Sequence, residues 1–237
     1  MSTGIVVGAG GGIGAACARA LAGSVELIVL AGRRREPLEA VAADVEVRTA
    51  VVPADVATAA GRDAIVSAIE GGLGWVVLAS GIPLRKPLAD LDEGEISAAF
   101  AANLVGPALL LNRLLGLRWE PPAAVAVIGS ITASRSLPQR AVYSATKAGL
   151  EHLARSLAAE LAPSGIRVNI VSPGVIETPF LGDHAAALDD WVRASVPLAR
   201  LGAPDEVANA VRYVILDAPA YLTGARIAVD GGAEALA

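Results

Sequence analysis

The sequence predicts an α/β fold of the doubly wound kind, in which a mostly parallel sheet of seven strands carries helices on both faces. Three observations predict it. Short apolar runs alternate with helical patterns along the whole length of 237 residues. The connections between these segments are short, as in the βαβ units that build parallel sheets. Several runs, such as residues 27–30, are apolar without interruption, which is typical of strands buried on both faces.

The predicted elements alternate from the first residues onward. The strands are expected at residues 4–7, 27–30, 45–52, 75–78, 125–128, 167–171 and 225–229. The helices are expected in an alanine-rich segment ending at residue 21, after the fourth strand, and at residues 36–44, 57–70, 142–161 and 205–216. The longest of these ends before Pro163 and Gly165, which do not continue a helix. No repeat or biased linker interrupts the pattern, so we expect a single domain over residues 1–237. The alternative, a division near Pro173, would leave a fragment with one strand.

The composition excludes several classes of protein. A net charge of −5 and an aromatic content of 3% argue against nucleic-acid binding, which uses a basic face and stacking rings. The one cysteine, Cys17, excludes internal disulfides, and neither it nor the two histidines form a metal-binding motif. The N-terminal residues lack a signal-peptide pattern, and Asn103, Gly106 and Pro107 are expected to break the charge-free stretch at residues 96–112. We therefore expect a cytoplasmic protein without metal, nucleic-acid or membrane partners.

Three glycines form a spaced motif in the first turn. Gly8, Gly12 and Gly14 lie directly after the first predicted strand and directly before a helix. Glycines there permit a tight turn and a close approach of the backbone to a pyrophosphate, while the helix N-terminus offers free N–H groups and a partial positive charge. A flexible surface turn is the alternative. The position in the first βα turn favours a dinucleotide site and hence a sheet of the Rossmann type.

The end of the second strand predicts the type of dinucleotide. A site that prefers NAD uses a carboxylate there to bind the ribose 2′-hydroxyl. Here the chain carries three consecutive arginines, residues 33–35, and no acid before Glu36. Because a guanidinium can bind a 2′-phosphate through two hydrogen bonds, we predict NADP(H) with Arg33 as the main contact. The alternative is a solvated run of charge at the start of a helix.

Tyr143 and Lys147 are four residues apart on the long predicted helix, which places both side chains on one face. A nearby ammonium would lower the pKa of the phenol from its ordinary value of about 10, so that it could exchange a proton near neutral pH. With three tyrosines and two lysines in the chain, this spacing is not expected by chance. The alternative is an exposed pair on a helix surface.

Two polar residues are expected near this pair. Ser130 follows the fifth predicted strand, at the edge where open α/β sheets bind ligands, and could hydrogen-bond a substrate oxygen. Asn103 is a polar residue within an apolar helical run. The alternative for Asn103 is a local capping role.

In this order, the motifs resemble those of the short-chain dehydrogenase/reductase family over essentially the whole chain. The likeness is to its one-domain, NADP(H)-preferring branch, which includes the 3-oxoacyl-carrier-protein reductases. Asn103, Ser130, Tyr143 and Lys147 resemble the catalytic tetrad, and Asp55 with Val56 resembles the adenine-contacting pair. Further matching segments are residues 172–178, similar to the segment that holds the nicotinamide carboxamide, and residues 222–224 and 229–232.

The resemblance implies an NADP(H)-dependent oxidoreductase that interconverts a carbonyl and an alcohol. Tyr143 would be the general acid/base and Ser130 would polarise the carbonyl. Lys147 would bind the nicotinamide ribose and lower the pKa of Tyr143, and Asn103 would hold a water of a proton relay. The implied cofactor contacts are Gly8, Gly12, Ile13, Gly14, Arg33, Asp55, Val56, Tyr143, Lys147, Pro173, Gly174, Ile176 and Thr178. A homotetramer or dimer is also implied, assembled through the helix of Tyr143 and the C-terminal strand region.

The sequence also departs from the family pattern. The Asn-Asn-Ala-Gly that usually follows the fourth strand is Leu-Ala-Ser-Gly at residues 78–81, Val7 stands in place of a threonine, and Gly74 stands in place of an aspartate. These losses leave open a catalytically silent NADP(H)-binding sensor or scaffold. A non-redox reaction on the same scaffold is a third hypothesis, which the presence of Lys147 disfavours.

Substrate specificity is expected to lie in residues 179–204, with residues 131–140 as a second wall. The first segment is partly apolar, through Phe180, Leu181, Leu188, Trp191, Val192 and Val196. These side chains indicate either a neutral or apolar carbonyl compound or a lid whose apolar residues pack on the core.

Overall fold

The computed structural model describes residues 1–184 and 189–236. Within them, seven strands form one sheet in the order β3-β2-β1-β4-β5-β6-β7, and every neighbouring pair is parallel. The strands are β1 (Ser2–Val7), β2 (Leu27–Gly32), β3 (Arg48–Pro53), β4 (Gly72–Leu78), β5 (Trp119–Ile128), β6 (Arg167–Pro173) and β7 (Arg226–Val229). The predicted fold class is confirmed. The first three strands extend the sheet to one side, and β4 to β7 extend it to the other side of β1. The switch point between β1 and β4 is where doubly wound sheets open a crevice for ligands.

The helices cover both faces of the sheet. They are α1 (Gly12–Ala20), α2 (Arg35–Ala43), α3 (Ala59–Ser67), α4 (Glu93–Phe100), α5 (Gly106–Leu114), α6 (Ala141–Leu161), α7 (Asp189–Ser195) and α8 (Pro204–Arg212). Buried residues of α1, α2 and α8 form one apolar core with the sheet, and those of α3, α5 and α6 form the other. Successive side chains of a strand point to opposite faces, so Val6 enters the first core while Ile5 and Val7 enter the second.

The strands at the centre are buried on both sides, as their uninterrupted apolar runs predict. β4 is buried along its whole length. The fifth strand, however, begins at Trp119, well before the predicted residue 125. Pro121 and Pro122 hide this early part in the sequence because proline is rare inside strands, and the pairing of β4 with β5 is irregular between Leu73 and Trp75.

The charge-free stretch after β4 lies within one long helical stretch. Residues Glu93–Leu114 form one continuous helical stretch, in which a π-helical segment (Ala101–Val105) joins α4 to α5. Asn103, Gly106 and Pro107 thus lie inside one helical stretch, and the expectation that it is not a membrane span stays a prediction. By length and composition this stretch could cross a membrane, with a mean hydropathy of 1.4, and a third of its most apolar window is buried within the fold. Its buried leucines pack in the second core, and the amide of Asn103 is also buried.

Candidate active site

A cavity of about 1250 Å³ opens at the carboxyl ends of the strands, across the switch point between β1 and β4. It runs from the glycine turn to the start of α6. All the residues predicted to contact a cofactor line it, and so do Ser130, Tyr143 and Lys147. Asn103 is fully buried behind the wall. The sequence-predicted residues thus come together around one cavity.

The glycine turn is shaped for a close approach of the backbone. Gly8 has φ +91°, in the left-handed region that favours glycine. A Cβ atom at Gly14 would collide with the carbonyl oxygen of Gly8, so the turn and the first residues of α1 pack only without side chains. A Cβ at Gly12 would lie 3.0 Å from the Thr178 methyl group, so the glycine turn and the segment after β6 face each other.

The three arginines after β2 have different surroundings. Arg33 and Arg34 line the cavity, and in the described part of the chain neither has an ion-pair partner. Arg35 lies in α2 and pairs with Glu39 at 3.4 Å. Two guanidinium groups are therefore free to face a ligand at this end of the cavity.

Ser130 and Tyr143 meet at the other end. Ser130 follows β5, and its Oγ accepts a hydrogen bond from the N–H of Thr132 at 3.1 Å. Tyr143 lies in the first turn of α6 and is buried, and it lines the same cavity as Ser130. Burial raises the pKa of Tyr143 to about 12, although the hydrogen bond from Ser130 and the charge of Arg140 oppose the shift.

The pKa of Tyr143 is raised rather than lowered, contrary to the expectation from its spacing to Lys147. The Nζ of Lys147 lies 6.0 Å from the centroid of the Tyr143 ring and donates a hydrogen bond to the carbonyl of Ile128 at 2.9 Å. Burial lowers the pKa of Lys147 itself to about 8, and the carboxylate of Glu151 opposes that shift. Burial of the phenol is therefore the largest influence on its pKa, and spacing along the chain cannot reveal burial.

Asn103 ties the loop after β4 to α6. Its Oδ1 accepts a hydrogen bond from the N–H of Ile82 at 2.7 Å, and its Nδ2 donates to the carbonyl of Ile82 at 3.2 Å and to Thr146 Oγ1 at 3.1 Å. Thr146 in turn donates to the carbonyl of Tyr143 at 2.7 Å. The π-helical segment turns the amide inward, and such segments are frequent at functional sites.

Comparison with known proteins shows the family to which this chain belongs. The model of a family described as enoyl-(acyl carrier protein) reductase matches residues 8–234. The chain belongs to the short-chain dehydrogenase/reductase family. The match covers nearly the whole chain. Because members of this family are oxidoreductases, the chain is an oxidoreductase.

Similar members of the short-chain dehydrogenase/reductase family include enzymes with different substrates. A cis-4-hydroxycyclohexanecarboxylate dehydrogenase of Sinomonas cyclohexanicum is 35% identical over 98% of this chain and 96% of its own length. The crystal structure of a glucose/ribitol-type member from Brucella melitensis superposes with a TM-score of 0.91 at 34% identity, over 98% of this chain and 96% of that chain. A 3-oxoacyl-[acyl-carrier protein] reductase of the same organism, in complex with NAD, gives a TM-score of 0.90 at 25% identity, over 99% and 97%.

One buried residue of this family member was not predicted. Glu151 accepts hydrogen bonds from Ser172 Oγ at 2.6 Å, from the N–H of Ser130 at 3.2 Å and from Arg226 Nε at 2.9 Å. It thereby holds the backbone of Ser130 from behind and joins it to β6 and β7. Its spacing of four from Lys147 and eight from Tyr143 places it on the same helix face, and that spacing is the signal that could have found it.

The apolar residues of the predicted specificity segment divide into two groups. Phe180 and Trp191 line the cavity, and the Phe180 ring lies 6.1 Å from that of Tyr143. Val192 and Val196 instead pack with Ile131 and Ala233 in a small apolar cluster. Leu188 lies outside the described residues. Some side chains of the segment therefore pack against the protein, and others face the cavity.

Proposed function

We propose that this protein is an NADP(H)-dependent oxidoreductase that interconverts a carbonyl and an alcohol, within a single domain. The observation that carries the proposal is one continuous cavity. Ser130 and Tyr143 lie at one end, and at the other lies a glycine turn with two arginines that have no ion-pair partner among the described residues. Chemistry and cofactor binding then share one continuous space.

The residues around the cavity fit a nicotinamide dinucleotide. The turn at Gly8 and Gly14 has no room for side chains, as a backbone that approaches a diphosphate requires. Asp55 and Val56 would hold the adenine, Lys147 the nicotinamide ribose, and the segment ending at Thr178 the carboxamide. The remaining proposed contacts are Gly12, Ile13, Pro173, Gly174 and Ile176. The bound cofactor supplies the hydride acceptor or donor.

Tyr143 acts on the proton. A phenol with a pKa of about 12 is protonated at neutral pH, so Tyr143 is ready to donate a proton to the oxygen of a carbonyl substrate. Ser130 donates a second hydrogen bond to the same oxygen. As the phenol loses its proton, the ammonium of Lys147 stabilises the tyrosinate, because with a pKa of about 8 it is mostly charged at pH 7. Asn103 Oδ1 accepts one hydrogen bond from the N–H of Ile82, and its second lone pair would hold the water of a proton relay.

The preference for NADP(H) rests on charge. Arg33 and Arg34 face the cavity without ion-pair partners among the described residues, and no acid precedes Glu36 after β2. A 2′-phosphate would pair with these guanidinium groups, whereas a 2′-hydroxyl would leave them without a partner.

We also propose a homotetramer or dimer located in the cytoplasm. Apolar side chains exposed outside the cavity support the assembly. They lie in the helical stretch Glu93–Leu114, at Val105 and Leu109, and in the C-terminal part of the chain, at Tyr213, Tyr221 and Leu236. Light scattering on the purified protein would give the number of subunits.

The proposed reaction is tested with a panel of carbonyl and alcohol compounds, followed by the nicotinamide absorbance with NADPH, NADP, NADH and NAD. We expect turnover with NADPH or NADP in excess of that with NADH or NAD. Tight binding of NADPH without turnover of any compound would favour the sensor or scaffold hypothesis instead.

A further inference from the structure

We propose that the substrate is a carbonyl or hydroxy compound that also bears a carboxylate, and that Arg140, assisted by Arg85, binds this carboxylate beside Tyr143. This inference rests on the proposed carbonyl–alcohol reaction and adds the class of substrate. It departs from the neutral or apolar substrate that residues 179–204 indicate.

Arg140 lies at the wall of the cavity next to the reacting end. It directly precedes α6, and its guanidinium carbon lies 5.8 Å from the centroid of the Tyr143 ring. The residue is half-buried, and in the described part of the chain its side chain has no carboxylate partner. Partial burial of a guanidinium without a carboxylate partner is unfavourable, so an anion bound here would stabilise the arrangement.

A second arginine is held beside the first. The backbone N–H of Lys86 donates to the carbonyl of Gln139 at 2.9 Å, which ties the loop carrying Arg85 to the turn that precedes Arg140. Burial lowers the pKa of Arg140 and, although the Tyr143 phenol opposes the shift, Arg85 lowers it further. Two like charges therefore face the same part of the cavity.

The turn that presents Arg140 is conformationally unusual. Gln139 has φ +63°, in the left-handed region that residues other than glycine rarely adopt. Backbone strain of this kind clusters at ligand-binding sites, where the surrounding structure maintains it. Here the hydrogen bond from Lys86 is one of the contacts that hold the turn.

Other cations in this region are already satisfied. The ammonium of Lys86 pairs with Glu95 at 2.9 Å and does not line the cavity. Arg135 donates to the carbonyl of Ala233 at 2.7 Å and stacks on the ring of Trp191. Among the described residues of this region, Arg140 and Arg85 line the cavity without a carboxylate partner and are available to a ligand.

The chemistry of the pair favours a carboxylate. The planar fork of a guanidinium matches a carboxylate through two parallel hydrogen bonds. Because Arg140 lies against the Tyr143 ring, a carbonyl held by Tyr143 and Ser130 would place a carboxylate a few bonds away within its reach. Oxo acids and hydroxy acids, linear or cyclic, have this arrangement.

The test compares oxo acids with their methyl esters. Wild type and the Arg140→Gln, Arg140→Lys and Arg85→Gln variants are assayed for kcat and KM with NADPH, with Lys86→Gln as a control that removes a neighbouring charge outside the cavity. We expect wild type to prefer an acid over its ester by tenfold or more in kcat/KM, and Arg140→Gln to reduce this ratio by roughly 10- to 100-fold, mainly through KM. Arg140→Lys should retain part of the preference, Arg85→Gln should lose less than Arg140→Gln, and Lys86→Gln should keep it all.

The acid-to-ester ratio separates substrate binding from any effect of Arg140 on the proton of Tyr143, since that effect changes both compounds alike. A wild type that prefers the ester, or an Arg140→Gln variant with an unchanged ratio, would overturn the proposal. If no compound is turned over, the proposed reaction fails, and calorimetric titration of the same oxo acids into the NADPH-loaded protein decides the inference separately. Weaker binding to Arg140→Gln than to wild type supports it, and equal or undetectable binding contradicts it.

Discussion

The two ends of the cavity are built in different ways. At the end of Ser130 and Tyr143, the polar side chains are buried and held by further buried groups, including Asn103 and Glu151. At the opposite end, Arg33 and Arg34 are exposed and no described side chain holds them in place. The first end is preorganised by packing, whereas the second presents charge on exposed side chains.

The difference between the two ends predicts which property each substitution should change. A preorganised group loses its whole effect when one atom is removed, because its neighbours cannot adjust. An exposed arginine contributes a charge that neighbouring arginines and solvent partly replace. Substitutions at the buried end should therefore change rate or stability strongly, and substitutions at the exposed end should change cofactor affinity moderately.

The largest expected effect is on catalysis. Tyr143→Phe removes the proton donor and one hydrogen bond to the substrate oxygen, so we expect kcat to fall by about 10³-fold, within the range for general acid catalysis. NADPH affinity should change little. Steady-state kinetics give the first quantity and fluorescence titration the second, with the fully exposed Tyr221→Phe as the matched control.

Stability should respond most to the carboxylate behind Ser130. Glu151→Gln leaves Arg226 and the Ser130 N–H with a neutral partner in a buried place, so we expect the free energy of unfolding to fall by about 2–3 kcal/mol. Urea titration measures it. Glu160→Gln, an exposed position on the same helix, should be nearly neutral. Equal losses at both positions would show that Glu151 is not special.

The two lysines should differ in how stability depends on pH. Lys147 has a folded-state pKa of about 8, below its value of about 10.5 in the unfolded chain, so between these values the unfolded state binds more protons. The stability of wild type relative to Lys147→Met should therefore rise by about 2 kcal/mol from pH 7.5 to pH 10.

For Lys86, the change of stability with pH has the opposite sign. Its pairing with Glu95 raises its pKa, so any stabilisation from its charge is lost as the pH rises through that value. Urea titrations of Lys147→Met from pH 7.5 to pH 10, and of Lys86→Met continued above pH 10.5, check both signs. A difference between wild type and Lys147→Met that does not vary with pH would contradict the burial of a charged ammonium.

The smallest expected effect lies at the exposed end. Arg33→Ala should weaken NADPH binding by about tenfold, leave NADH binding nearly unchanged, and remove most of the preference between them. Arg35→Ala is the matched control, because Arg35 pairs with Glu39 and does not line the cavity. Equal affinities of wild type for the two cofactors, measured by fluorescence titration, would refute the assignment of NADP(H).

Sequence reasoning succeeded where local pattern decides the structure. The apolar runs of β2 and β4 and the glycine turn at Gly8 specify a parallel sheet and its crevice, so the cavity could be located in advance. The pKa of Tyr143 could not be predicted in the same way, because it depends on burial rather than on the distance along the chain to Lys147. Glu151 and Arg140 were missed for related reasons, since one gains its importance from partners on β6 and β7 and the other from the lack of a partner.

The claim that one end of the cavity performs the chemistry while the other selects the cofactor is tested most directly by a double-variant cycle. Wild type, Tyr143→Phe, Arg33→Ala and the double variant are compared by NADPH titration and by single-turnover absorbance with a responsive carbonyl compound. We predict that Tyr143→Phe lowers only the rate, that Arg33→Ala lowers only the affinity, and that the double variant shows both losses independently, as expected for distant sites. Unchanged turnover in Tyr143→Phe would contradict the account.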